Sequence, residues 1–273
     1  MKIIPFSEES IDMIEWISKS NTSRCIPSPK WNDKTHNVIV QLFNDIIQAN
    51  EYVQKAKREK GTKFYNVDIH TITQNKHTPK PKTFNMNSIP DQIKTYIETE
   101  SSGYLSYKTQ LNGKRLQVNF IVNSMDPFSH VGIFNKYFER IIIWMHIANK
   151  YASNKCGRDL NVFLYLTPFK KELPNTRLDI IGQEHANTAF TYTCPSTTSE
   201  IVIYREEEWF KVFIHEIFHN LSLDFSCLDT KDLCTNVMMN VFPIDSDFLL
   251  FEAYTESWAV IVNACMCTYF CFD

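Results

Sequence analysis

The chain has 273 residues, of which 28 are basic and 31 acidic, so its formal net charge is −3. Proteins dedicated to nucleic-acid binding normally carry a basic surplus, and this balance argues against that function. Hydrophobic residues make up 44% of the sequence, which is enough to form a substantial buried core.

Two N-terminal segments, residues 8–19 and 37–56, place apolar residues at helical spacing, and each predicts a helix. The stretch 55–83 is rich in lysine and contains prolines. We interpret it as a solvated face and loop, and a patch for nucleic acid or an acidic partner is the alternative. We expect residues 1–100 to form an N-terminal region whose role the sequence does not indicate.

The central part of the chain predicts a β-hairpin followed by a helix and strands. Alternating apolar residues flank Asn112-Gly113 within the segment 103–123, and this dipeptide is typical of a two-residue hairpin turn. The largely apolar stretch 137–152 predicts a helix. A helix is also predicted to start near Arg205. Three short strands are predicted before it, at residues 161–166, 188–193 and 200–204.

The sequence predicts neither export nor membrane insertion. Its start lacks the long apolar stretch of a secretory signal, so we expect a cytoplasmic protein whose thiols stay reduced. The apolar run 258–272 is shorter than the roughly twenty residues that span a bilayer, and it predicts a buried helix. The spacing of Cys265, Cys267 and Cys271 differs from a paired C-x2-C zinc framework, which favours a packing role for these residues.

The clearest chemical signal is His215-Glu216-x-x-His219, in the helix predicted after residue 204. Residues at i and i+4 project from one helical face, so both imidazoles can reach one metal ion, and Glu216 can contact a metal-bound water. The surrounding sequence is apolar almost all round, which predicts burial. Two core histidines and a glutamate are the alternative, but unpaired polar groups are costly in a buried setting, and one metal would satisfy all three.

A zinc site of this type needs a third protein ligand and one open position. Asp224 is the nearest candidate after His219. The compact pattern of the metzincins would need glycine where Ser222 stands and the ligand where Phe225 stands. Neither position matches, so we do not favour Asp224 as the third ligand.

The segment 251–259 supplies a better candidate. Glu252 and Glu256 fall on one face of a helix predicted there, and apolar residues around them predict that this helix is mostly buried. One carboxylate would bind the ion and the other would orient a ligating histidine. An ordinary pair of surface glutamates is the alternative. The candidates for capping the helix are Asp245, Ser246 and Asp247.

Together the two motifs resemble those of the gluzincin peptidases. In that family the His-Glu-x-x-His helix is followed, after a variable gap, by a helix with a glutamate and a second carboxylate four residues later. The sequence Glu-Ala-Tyr-Thr-Glu at 252–256 looks like this second motif. The resemblance implies that Zn²⁺ is bound by His215, His219 and Glu252, that Glu216 is the general base, and that Glu256 supports a ligand.

The stretch 167–258 is also similar to metalloproteases of large DNA viruses. The similarity lies in Ala186-Asn187-Thr188-Ala189, Ile203-Tyr204-Arg205 before Glu208-Trp209, and the two motifs above. It implies a location in the host cytoplasm or in a virion. It also implies that Asn187 and Ala189 contact a peptide or protein substrate, which would add to an open strand edge near residues 188–193.

The sequence therefore predicts an α+β fold, in which a zincin-like mixed sheet packs on the His-Glu-x-x-His helix beside a second ligand-bearing helix. Residues 101–273 would form this metalloprotease domain, with a helical N-terminal region attached.

The predicted function is zinc metalloendopeptidase. One alternative is a zincin-fold virion or structural protein of weak or absent activity that binds zinc for stability or interaction. It is favoured because only Tyr254 and Tyr269 follow Glu252 as candidates to stabilise an intermediate, and neither matches the family pattern. The other alternative is a zinc hydrolase of non-peptide amides or esters.

Overall fold

The computed structural model describes residues 32–271, except for short gaps at 75–76, 124–125, 130, 157–158, 175, 177–179, 181, 197, 229–230 and 244–247. The helix predicted over 8–19 and the cap candidates Asp245, Ser246 and Asp247 lie outside the described residues. The architecture is mixed α+β, as the sequence predicts, with helices packed on a six-stranded mixed sheet.

The strands are β1 (Asn66–Thr71), β2 (Ser101–Leu111), β3 (Lys114–Asn123), β4 (Asp159–Thr167), β5 (Ala189–Thr191) and β6 (Thr198–Arg205). Their order in the sheet is β1-β2-β3-β4-β6-β5. Strands β3, β4 and β6 run parallel, whereas β1–β2, β2–β3 and β5–β6 are antiparallel pairs. The predicted hairpin is β2–β3. Asn112 and Gly113 have φ angles of 51° and 78° in its turn, because a two-residue hairpin turn needs left-handed residues.

The helices are α1 (Asp33–Lys60), α2 (Asp91–Glu100), α3 (Val131–Tyr151), α4 (Gln183–Ala186), α5 (Trp209–Asn220), α6 (Lys231–Val241) and α7 (Leu250–Cys271). Side chains alternate between the two faces of a strand, so the sheet supports two cores. Leu160 and Val162 of β4 join the larger core with α1, α3, α5 and α7, while Phe163 and Tyr165 join a smaller core with α2. None of the described helices is long and apolar enough to cross a membrane.

The interpretation of 55–83 as a solvated face and loop is wrong for residues 66–71, which form strand β1 and pair with β2. Helix α1 continues to Lys60, and residues 58–60 at its end are exposed, as the interpretation predicts. Val67 and Ile69 of β1 pack against the larger core, to which α1 also contributes. Residues before and after position 100 thus share one sheet and one core, so the predicted boundary there does not separate two cores.

The helix that carries His215 and His219 begins later than the sequence predicts. Strand β6 continues through Arg205, and the Glu206 N–H donates to the Thr167 carbonyl oxygen at 2.9 Å, which extends the contact with β4. Helix α5 then starts at Trp209, after Glu208 in a left-handed conformation with φ of 54°. The three glutamates before Trp209 therefore form the strand-to-helix turn and not the first turn of the helix.

The expectation that all thiols are reduced is also wrong, because Cys156 and Cys194 form a disulfide. Cys156 precedes β4 and Cys194 follows β5, and the order β4-β6-β5 brings the two segments together, with a Cα–Cα distance of 4.7 Å. The two cysteines are 38 residues apart, so their pairing has no local sequence signature. Cys265 is buried in the larger core, which is the packing role predicted for it.

Candidate metal centre

Three possible metal ligands meet between α5 and α7. His215 and His219 project from one face of α5, and Glu252 projects from the first turn of α7. The two Nε2 atoms lie 3.0 Å apart, and each lies 3.3 Å from Glu252 Oε2. Bonds of roughly 2.0–2.1 Å in tetrahedral geometry place ligand atoms about 3.3–3.4 Å apart, so this triangle is close to the size that one small cation requires.

Helix α5 is fixed by its burial and by its C-terminal residue. Most of its side chains are buried, and the side chain of Asn220 is completely so. Asn220 Nδ2 donates to Thr191 Oγ1 of β5 at 2.9 Å and also contacts Ser199 Oγ of β6. These bonds attach the histidine-bearing end of α5 to the edge of the sheet.

The outer nitrogen of each imidazole faces its own carboxylate. His215 Nδ1 lies 3.1 Å from Glu256 Oε2, and His219 Nδ1 is hydrogen-bonded to Asp224 Oδ2. A carboxylate at Nδ1 favours the tautomer with the proton on Nδ1, which leaves a lone pair on Nε2. The two Nε2 lone pairs then converge beside the Glu252 carboxylate. Three acceptors cannot satisfy one another, and a cation between them would satisfy all three.

Both orienting carboxylates are held in turn. Glu256 Oε1 forms an ion pair with Lys211 Nζ of α5 at 2.6 Å. The Asp224 side chain is fully buried, and its Oδ1 accepts from the N–H of Ser226 at 3.1 Å and from the Ser226 hydroxyl at 2.7 Å. Sequence analysis considered Asp224 only as a ligand and missed this orienting role. The available signal was an aspartate just after the helix with a serine two residues later, a pattern that fixes a carboxylate locally.

Glu216 lies on α5 between the two histidines and is buried. No described residue donates a hydrogen bond to its carboxylate. Burial raises the pKa of Glu216 to about 7, although His215 and His219 act in the opposite direction. A carboxyl group with this pKa can both accept and release a proton near neutral pH, as a general base and acid must.

Hydrogen bonds among the candidate ligands shift their pKa values so that the imidazoles are protonated and Glu252 is ionised. Burial lowers the pKa of His219, but hydrogen bonds to Asp224 and Glu252 outweigh burial and raise that pKa to about 10. Burial likewise opposes protonation of His215, and Glu252 again outweighs it, so the pKa of His215 is raised. The two histidines lower the pKa of Glu252 to about 2.

The predicted substrate residues lie at the edge strand. Ala189 opens β5 and pairs with Ile203 of β6, and Asn187 is exposed just before β5. The Asn187 carbonyl oxygen accepts a hydrogen bond from Arg205 Nε at 3.1 Å. β5 is the last strand of the described sheet on this side, but it spans only residues 189–191 of the predicted 188–193. Contact of Asn187 and Ala189 with a substrate stays a prediction.

The two late tyrosines have other partners. The ring of Tyr254 packs edge-on against Phe218 and Phe225. The hydroxyl of Tyr269 accepts a hydrogen bond from Asn50 of α1 at 3.2 Å. Neither contact brings a phenol hydroxyl to the three candidate ligands.

Comparisons of the chain with protein-family models, with curated proteins and with solved structures give no match. The geometry and electrostatics of this centre are therefore the basis for proposing a function.

We predict that Asp224→Ala weakens metal binding by about 10- to 100-fold, because His219 loses the group that fixes its tautomer and orientation. The measurement is a competition titration of Zn²⁺ against a chromophoric chelator. Glu59→Ala is the matched control, since Glu59 is an exposed acid on α1 that pairs only with Lys55 among the described residues. Wild-type affinity in a folded Asp224→Ala protein would contradict the orienting role.

A second prediction concerns protons released on metal binding. His219 of the metal-free fold has a pKa of about 10, so it is protonated at neutral pH, whereas a ligating imidazole must be neutral at the binding nitrogen. Binding should therefore release about one proton or more per ion at neutral pH, and affinity should rise as the pH increases towards that pKa. Calorimetric titrations in buffers of different ionisation enthalpy measure the release. A binding enthalpy that is the same in every buffer would exclude it.

Proposed function

We propose that this chain is a zinc-dependent peptidase with a zincin-like catalytic domain. The observation that carries the proposal is the convergence of His215 Nε2, His219 Nε2 and Glu252 Oε2 beside the buried carboxyl group of Glu216. If the two histidines were buried there by chance, neither would need a carboxylate to orient its imidazole. A hydrolytic metal site requires all of these parts together.

The chemical nature of the donors favours zinc. Two imidazole nitrogens and one carboxylate oxygen form a borderline set that suits Zn²⁺, and three protein ligands leave a fourth position open for water or substrate. The side chain of Glu252 is 44% exposed, so solvent can reach the ligand triangle from its side. Bound zinc would polarise a substrate carbonyl and lower the pKa of a coordinated water towards about 7.

The protein's own residues would then handle protons and orientation. Glu216 would accept a proton from the attacking water and transfer it to the leaving amine nitrogen, and its pKa of about 7 suits both steps. Glu256 and Asp224 would keep the imidazoles aimed at the ion throughout the reaction. Lys211 would hold Glu256 in place through its 2.6 Å ion pair.

A polypeptide is the substrate class that the surrounding structure favours. Strand β5 lies at an edge of the described sheet, and its Thr191 is hydrogen-bonded to Asn220, the residue after His219. An extended peptide can add to such an edge as a further strand, with backbone hydrogen bonds that do not depend on sequence. Asn187 and Ala189 would be among the contacts, and an internal peptide bond could be cleaved.

A protein that binds zinc only for stability or interaction is the second candidate. The contacts of Tyr254 and Tyr269 favour it, because the Tyr254 ring packs on Phe218 and Phe225, the Tyr269 hydroxyl is bonded to Asn50, and neither contact involves the candidate ligands. Such a protein would retain zinc and gain thermal stability from it, but it would not cleave peptides.

Replacement of Glu216 tests the proposed activity. We expect Glu216→Gln to lower the hydrolysis rate of a denatured-protein or peptide-library substrate by at least about 10²-fold, because the amide cannot accept the proton. Zinc content should be unchanged. Glu206→Gln is the control, since Glu206 is an exposed glutamate of the turn before α5. Equal hydrolysis by Glu216→Gln would remove Glu216 from the role of base, and a wild-type protein with zinc but without hydrolysis would favour the second candidate.

A further inference from the structure

A polar basin lies at the end of the sheet where β1, β3, β4 and β6 begin, and part of it adjoins the smaller core that α2 covers. Its volume is about 970 Å³. Because side chains alternate along a strand, the same face that carries Phe163 and Val202 under α2 carries Asn161 and Glu200 farther along β4 and β6. We call this region the basin. Its floor includes Gln117, Asn161 and Thr198, and the basic side chains around it are Lys60, Lys63, Lys82, Lys108 and Arg115.

The basin has an excess of positive charge. Two of its five cations are paired, since Arg115 binds Asp159 at 2.6 Å and Lys108 binds Asp68 at 2.8 Å. The remaining three, Lys60, Lys63 and Lys82, are exposed and have no carboxylate partner within the described part of the chain. Three unpaired lysines around one concave surface attract an anionic partner.

The third carboxylate near these lysines, that of Glu200, is already hydrogen-bonded. Glu200 is buried and accepts hydrogen bonds from the N–H groups of Lys82 and Thr83 at 2.9 and 2.7 Å. It therefore fixes the loop that carries Lys82 onto β6 and holds that lysine at the edge of the basin. The basic loop is exposed at Lys82, as predicted, and is in addition held by this specific contact.

We propose that the basin binds an acidic segment of a polypeptide. Lysines act as mobile point charges that suit the carboxylates of a flexible chain, and the floor offers amide and hydroxyl groups to its backbone. None of the residues that line the basin is a candidate metal ligand, so this interaction does not depend on the metal centre.

The basin has only two aromatic residues in its lining, Phe64 and Tyr65, and this favours a polypeptide over a single-stranded nucleic acid. Binding of such nucleic acids relies on bases that stack on exposed rings. Phe64 is buried, and the ring of Tyr65 packs against Phe64, Tyr107 and Phe138. The lining therefore offers at most one partly exposed ring, whereas successive stacked bases need several.

Fluorescence anisotropy with a labelled decaglutamate peptide tests the proposal. The wild-type protein is compared with a triple variant, Lys60→Gln/Lys63→Gln/Lys82→Gln, and with a control triple variant, Lys34→Gln/Lys55→Gln/Lys94→Gln, which has the same net charge but leaves the basin intact. All three proteins are checked for equal thermal stability, and mass spectrometry confirms that the peptide stays intact.

We expect the basin variant to bind decaglutamate about tenfold more weakly than wild type, and the control variant to bind it nearly as well as wild type. Binding should also weaken as salt is added. Equal losses in both variants, or no loss in the basin variant, would overturn the proposal. Tighter binding of a labelled oligouridylate of equal charge would overturn it in favour of a nucleic acid.

Discussion

Two hydrogen bonds determine what the centre between α5 and α7 can do. Glu256 faces Nδ1 of His215 and Asp224 faces Nδ1 of His219, so each ring presents its Nε2 atom to the same point in space. Without these carboxylates, the rings of a buried helix could rotate or exchange tautomers and would define no common site. The orientation also requires that α5 stays in register with the sheet, which its buried surface and the contacts of Asn220 ensure.

This arrangement concentrates ionisable groups at a site that is buried at Glu216 and open to solvent at Glu252. Glu216 has a raised pKa because it is buried, while hydrogen bonds with the two histidines keep the pKa of Glu252 low. An unpaired charge is costly on the buried side, so such a cluster needs either its protons or a cation. Binding of a cation would replace those protons with a single fixed charge. The stability of the two-helix unit and its chemistry are therefore linked.

The sequence predicts those features that depend on spacing within one element. The i, i+4 pairs His215/His219 and Glu252/Glu256 lie on one face of their helices, and Asn112-Gly113 forms the hairpin turn. Features that depend on contacts between distant segments were missed. Asp224 contacts His219 because the chain turns back after α5. Strand β1 is stabilised by its pairing with β2 and by two side chains that pack against the larger core. The pairing of Cys156 with Cys194 follows from the sheet order, which no local spacing encodes.

We propose that two imidazoles and one carboxylate bind a zinc ion here. X-ray absorption at the zinc edge of the purified protein tests this proposal, because nitrogen, oxygen and sulfur ligands give different bond lengths to zinc. The predicted result is one zinc per chain with only nitrogen and oxygen ligands at roughly 2.0–2.2 Å, two of them with the outer-shell scattering of imidazole. Zinc–sulfur distances of about 2.3 Å, or purified protein that contains no zinc and acquires none on addition, would contradict it.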